Sequence, residues 1–373
     1  MNNELCKMTG ADFPLFAFSH CRDVVAAVSR AGGFGVLGGS SFTPESLKIE
    51  LEWIDAHVDG KPYGVDILIA ENVSTSSDLS DEQIAQLVPE QHVDFTIDLL
   101  EQYGVTLTRE AAVNRRRPTL MPDVGERLLE VAFQHPIRLI ANALGIAPPR
   151  MIEHARTAGI PCAALVGAKE HALRQVEAGV DIIVAQGGEA GGHCGEVSTM
   201  VLIPEVVRAI APIRTAPVLA AGGIMTGQQM AGAMAMGAQG VWTGSVWLAS
   251  TESETTQTFR EKMVAATSRD TVRSKARTGK PSRQLRTPWH DAWEARESPG
   301  SLPLPLMIML SHPAFSAIDK AAENGNPRAR ELVSYFVGQG VGLVDGVYSA
   351  GSIVQRFKEE FAEAVTDLMT TIG

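Results

Sequence analysis

Eight short apolar runs, separated by helix-patterned stretches, constrain this chain more than any other feature. They predict strands at Phe13–Ser19, Phe34–Leu37, Tyr63–Ile69, Ile137–Asn142, Pro161–Val166, Asp181–Ala185, Pro217–Ile224 and Gly240–Thr243. Runs apolar throughout, rather than alternating, belong to strands covered on both faces, which is the situation in a parallel sheet. Eight strand and helix units in series predict an α/β chain folded as a (β/α)8 TIM barrel, with function at the C-terminal strand ends. A doubly wound open sheet is the alternative topology.

Two stretches break the rhythm. Residues 71–125, rich in Ser, Asp, Glu and Arg, read as an insertion after strand three, with a helix near Asp81–Tyr103. Beyond Glu254 come a helix near Thr255–Ala266, a Lys, Arg and Pro-rich stretch over 269–288, Trp289, Trp293 and an apolar run at Leu302–Leu310. The expected organisation is a barrel over 1–265, a cap or substrate-side region over 266–352, and an amphipathic C-terminal helix over 353–373 packing back on the barrel.

Composition narrows the class of partner. A net charge of −11 and a pI near 5.4 argue against nucleic acid or anionic lipid, which need clustered cations, and leave a small-molecule substrate and a homo-oligomer open. Arg115, Arg116 and Arg117 read as a solvated loop. Cys6, Cys21, Cys162 and Cys194 form no C-x-x-C pair, so no metal site is expected and a reducing cytoplasm fits. No run reaches the roughly 18 apolar residues of a membrane span.

The chemistry concentrates after strand six, in Ala185-Gln-Gly-Gly-Glu-Ala-Gly-Gly-His-Cys-Gly195. Five glycines around one histidine make a poor core and a good site, because glycine lets backbone approach a ligand. His193 is the candidate acid or base near neutral pH. Cys194 beside it is the weaker candidate, since adjacent side chains in a loop commonly diverge. Glycine turns recur after strands seven and eight, at Gly222-Gly223 and Gly244-Ser245, where barrels often hold a phosphate on backbone N–H groups. His20 and Asp66 end strands one and three on the same rim, and Glu189 reads as an orienting carboxylate.

Val184–Gly195, Pro217–Ile224 and Gly237–Ser245 resemble the nitronate monooxygenase family, also called 2-nitropropane dioxygenases, FMN-dependent barrels. Ala27–Gly35, Pro62–Val65 and Val176–Asp181 extend the likeness over about two thirds of the chain. The resemblance implies FMN phosphate on Gly222, Gly223, Gly244 and Ser245, with Gln186, Gly191 and Gly192 near the cofactor and His193 beside it. It also implies oxidation of an alkyl nitronate by the flavin, with dioxygen as the electron acceptor and a carbonyl compound and nitrite as products. The family's usual Ala-Pro-Met and Asn give way here to Ala17-Phe18 and Asp66, which would meet the flavin ring. Its Thr-Arg-Phe is replaced by Ser245-Val-Trp247, removing a cation near the phosphate. Two other activities stay open: an NAD(P)H-dependent flavin reductase of a quinone or enoyl thioester, and a flavin-free sugar-phosphate isomerase or lyase.

Overall fold

The computed structural model describes residues 3–69, 79–115 and 122–372. Eight parallel strands close into a barrel in chain order: β1 (Leu15–Ser19), β2 (Phe34–Gly38), β3 (Tyr63–Asp66), β4 (Ile140–Asn142), β5 (Cys162–Val166), β6 (Ile182–Gln186), β7 (Val218–Ala221) and β8 (Gly240–Thr243). β8 closes on β1, with Trp242 opposite Phe16 and Thr243 opposite Ala17. The Thr243 hydroxyl donates to the Phe16 carbonyl at 3.0 Å across this seam.

Pleating sends alternate side chains into the lumen. Phe16, Phe34, Val36, Val184, Leu219 and Trp242 fill it, with Phe16 4.7 Å from the Phe34 ring and stacked at 6.2 Å on Trp242. Leu15, Ala17 and Val241 point outwards under the helices. Helix Glu4–Thr9 lies at the floor, capped by the Asn3 side chain, which accepts from the Cys6 N–H at 2.9 Å. Its Leu5 joins the lumen cluster, so what remains open is the C-terminal end of the barrel.

The predicted helix over 81–103 is two helices, Asp81–Ala85 and Glu90–Gln102. Pro89 between them has no N–H to continue the first and opens the second. Helix Pro122–Ala132 begins inside the range read as insertion, yet it packs against Pro44–His57 as part of the barrel's own helical layer. Of the insertion, residues 71–78 and 116–121 lie outside the described residues, and Arg116 and Arg117 with them. Arg115 pairs with Glu82 at 2.6 Å.

After the barrel the chain forms an antiparallel hairpin, β9 (Thr271–Ser274) and β10 (Ser282–Leu285), then helices Pro288–Glu294, Leu306–Glu323 and Pro327–Leu332. The insertion docks on these helices: Phe95 meets Trp293 edge-on at 4.8 Å, and the Asn114 N–H donates to the Met309 carbonyl at 2.8 Å. The two interruptions of the strand and helix rhythm therefore form one body. The last helix, Ala350–Ile372, begins earlier than its apolar stripe suggested. It approaches helix Gly227–Ala235 so closely that a Cβ on Gly227 would sit 2.3 Å from the Phe357 carbonyl oxygen. No helix among the described residues is long and apolar enough to cross a membrane.

Candidate active site

The loops after β6, β7 and β8 meet at the barrel mouth. Gly187 donates its N–H to the Ala221 carbonyl at 2.9 Å, and any Cβ there would strike Thr199. The Glu189 carboxylate accepts from both the Thr199 N–H and its hydroxyl, each at 2.9 Å. Thr199 opens helix Thr199–Ile210, so Glu189 satisfies an N-terminal amide and ties the glycine loop to that helix.

The turns after β7 and β8 leave donors free. Gly222 and Gly223 take φ of 105° and 73°, values that favour glycine. None of the N–H groups of Gly222, Gly223, Gly244 and Ser245 donates to another described residue. A Cβ on Gly244 would find nothing within 4 Å, so open space lies beside that residue. Four amides without a protein partner, gathered on adjacent turns, form a donor set whose chemistry fits a phosphate. The Ser245 hydroxyl is engaged elsewhere, accepting from the Gly338 N–H at 2.9 Å. Gln186 ends β6 at the same rim, its side chain on the lumen side with Ile182 and Val184.

His193 is held by more than its loop. Gly192–His193 is a two-residue strand pairing with β10, Gly192 opposite Arg283 and His193 opposite Ser282. His193 Nδ1 lies 3.3 Å from the Pro281 carbonyl oxygen. A carbonyl only accepts, so Nδ1 carries the hydrogen and Nε2 keeps its lone pair. Burial lowers the imidazole pKa below its usual value; the Pro281 bond opposes this and the Lys280 cation adds to it. Arg283 steadies the loop, donating Nε and a terminal nitrogen to the Gly188 carbonyl at 3.0 and 2.8 Å. Cys194 is no thiolate at neutral pH: burial raises its pKa despite Arg283 and Arg273.

The opposite rim belongs to β1 and β3. Phe18 stacks over Trp242 at 6.4 Å and meets the His20 ring edge-on at 5.2 Å. His20 Nδ1 lies 3.0 Å from the Gly38 carbonyl oxygen, and burial lowers its pKa. Asp66 is buried, its Oδ1 has no hydrogen-bond partner, and desolvation pushes its pKa up to about 7. Ala17 turns its methyl into the helical layer, so only its backbone borders the mouth. Gly191 meets the cap: a Cβ there would lie 2.8 Å from the Gly338 nitrogen.

Pro281, Arg283, Phe336 and Gly338 complete the site without any signal in the eightfold pattern. Phe336 approaches the His193 ring at 6.5 Å. The one available clue was the spacing Gly338-Gln-Gly-Val-Gly342, another glycine cluster like those after β6 to β8.

Known proteins resemble this chain in sequence and fold. A family model described as Nitronate monooxygenase matches residues 17–360. A Mycobacterium tuberculosis protein assigned as a monooxygenase, Rv1533, is 49% identical over 376 residues, covering 99% of this chain and 98% of its own. FabK from Thermotoga maritima superposes with a TM-score of 0.71 at 25% identity, over 100% of this chain and 99% of that one. The nitroalkane oxidase of Streptomyces ansochromogenes gives a TM-score of 0.80 over 98% of this chain and 100% of that one; at 23% identity this is a likeness of fold.

Proposed function

The chain belongs to the nitronate monooxygenase family and is an oxidoreductase, and on that premise we propose that it oxidises alkyl nitronates with dioxygen, to a carbonyl compound and nitrite, at a bound FMN. The observation that carries this reading is the meeting, at one barrel mouth, of four free backbone N–H donors with a histidine whose Nε2 is unoccupied.

The donor set fits the cofactor. Gly222, Gly223, Gly244 and Ser245 would hold its phosphate, while Gln186, Phe18 and Asp66 border the space for its ring. When bound, the flavin supplies the two-electron chemistry and the route to dioxygen. The protein's own contribution is placement and proton handling. His193 Nε2 takes the α-proton of a neutral nitroalkane, and its lowered pKa keeps the imidazole unprotonated and ready below neutral pH. The imidazolium that results still donates from Nδ1 to the Pro281 carbonyl, and its Nε2–H then faces the anionic nitro group. Phe16, Phe18 and Trp242 close the lumen beneath the site to water.

An anaerobic spectrum tests the reading. Mixing purified protein with a primary nitronate should bleach the visible flavin band, and air should restore it with release of nitrite. Bleaching by NADPH and not by nitronate would select a flavin reductase instead. Colourless protein that FMN does not reconstitute would end the flavin reading.

A further inference from the structure

Asp66 takes no part in the proton handling described, yet it is a buried carboxyl in the barrel wall whose Oδ1 the fold leaves without a hydrogen-bond partner. Register sets it opposite Gly38 on β2 and Ala141 on β4. Val65 beside it packs into the outer core, so alternation turns Asp66 into the lumen, as it does Gly64, whose Cβ would meet Leu139 and Phe34. Only 3% of Asp66 is exposed, and Oδ1 has no partner.

No cation faces it among the described residues. β2 offers Gly38 and β4 offers Ala141, neither of which titrates. The turn after β2 offers Gly39 and Ser40, and the Ser40 hydroxyl oxygen is occupied by the Leu68 N–H at 2.6 Å. On β1, His20 is tied to the Gly38 carbonyl and kept neutral by burial. Among the described residues, a carboxylate in this position has no counter-charge and no donor at Oδ1, and desolvation alone raises its pKa.

We infer that Asp66 receives the polar edge of the bound flavin ring through a protonated carboxyl, whose O–H donates and whose C=O accepts, so that the site takes up its cofactor together with a proton. This rests on the flavin reading of the site. A neutral carboxyl offers one donor beside one acceptor, as a primary amide does, and a ring edge carrying N–H next to C=O matches both. Ionisation removes the donor and sets a negative charge against the ring carbonyl.

The test is FMN binding to flavin-free protein, followed by quenching of flavin fluorescence from about pH 6 to about pH 8.5. Wild-type affinity should be level at the acid end and fall above neutrality, approaching about tenfold per pH unit. Asp66→Asn should keep the acid-end affinity across the whole range. Calorimetry of the wild type in two buffers of different ionisation enthalpy, near pH 8, gives a readout free of any variant and should show uptake of close to one proton per flavin. A wild-type profile flat in pH with no proton uptake overturns the inference, and so does a slope that Asp66→Asn retains. Absence of FMN binding at every pH overturns the flavin reading itself and this inference with it.

Discussion

At the residue scale, His193 and Gly244 separate chemistry from cofactor binding. His193→Asn keeps a hydrogen-bonding group of similar reach but removes the base, so turnover of a neutral nitroalkane should fall about 10²–10⁴-fold while bound flavin stays stoichiometric. The preformed nitronate needs no deprotonation and should lose far less. With the histidine pKa lowered by burial, the wild-type rate on nitroalkane should persist below the ordinary imidazole value before it drops. Gly244 makes the complementary case. Its φ of −126° lies outside the left-handed region, and a Cβ there meets nothing. Gly244→Val should leave the melting temperature near wild type and weaken FMN binding more than about tenfold, because its methyls enter the open space at that turn. Gly35→Ala should do the reverse: its Cβ would sit 2.3 Å from the Val25 carbonyl oxygen, costing about 3 kcal/mol of stability in a chemical denaturation series.

At the element scale, the barrel was legible and the cap's share of the site was not. Each strand announced itself through an apolar run bounded by turn residues, and the glycine turns marked the rim. The histidine stood out because it is the one side chain in its loop whose ordinary pKa lies near neutral pH. Gly192–His193 is too short to leave a periodic trace, and its partner residues, Ser282 and Arg283, lie far downstream in a stretch read only as rich in Lys, Arg and Pro. Arg283 was one basic residue among several there, yet its fork holds the Gly188 carbonyl. Arg283→Met keeps the stem and removes the clamp. It should cost about 2 kcal/mol, the scale of a charge-assisted hydrogen bond, and should lower kcat more than flavin affinity. Equal loss of both would make Arg283 a binding residue instead.

At the scale of the whole molecule, the insertion and the cap stand or fall together. Phe95 on the insertion bears on Trp293 of the cap, and the Asn326 side chain donates to the Gly104 carbonyl at 2.9 Å. Phe95→Ala should therefore cost about 3 kcal/mol and hasten limited proteolysis on both sides of the joint while the barrel resists. Global stability also carries the signature of Asp66. Its folded pKa of about 7 stands above the unfolded value near 3.9, so the native state binds the extra proton. That preference favours folding fully below about pH 4 and is lost as pH rises towards 7; above 7 the deficit levels off at about 4 kcal/mol as an upper figure. Asp66→Asn cannot ionise, so its stability relative to wild type should climb between about pH 4 and 7 and then hold constant. Urea unfolding of the two flavin-free proteins at acid, neutral and mildly alkaline pH measures that difference. A difference that does not change with pH would mean the Asp66 carboxyl is solvated in the folded protein, contrary to its place in the lumen.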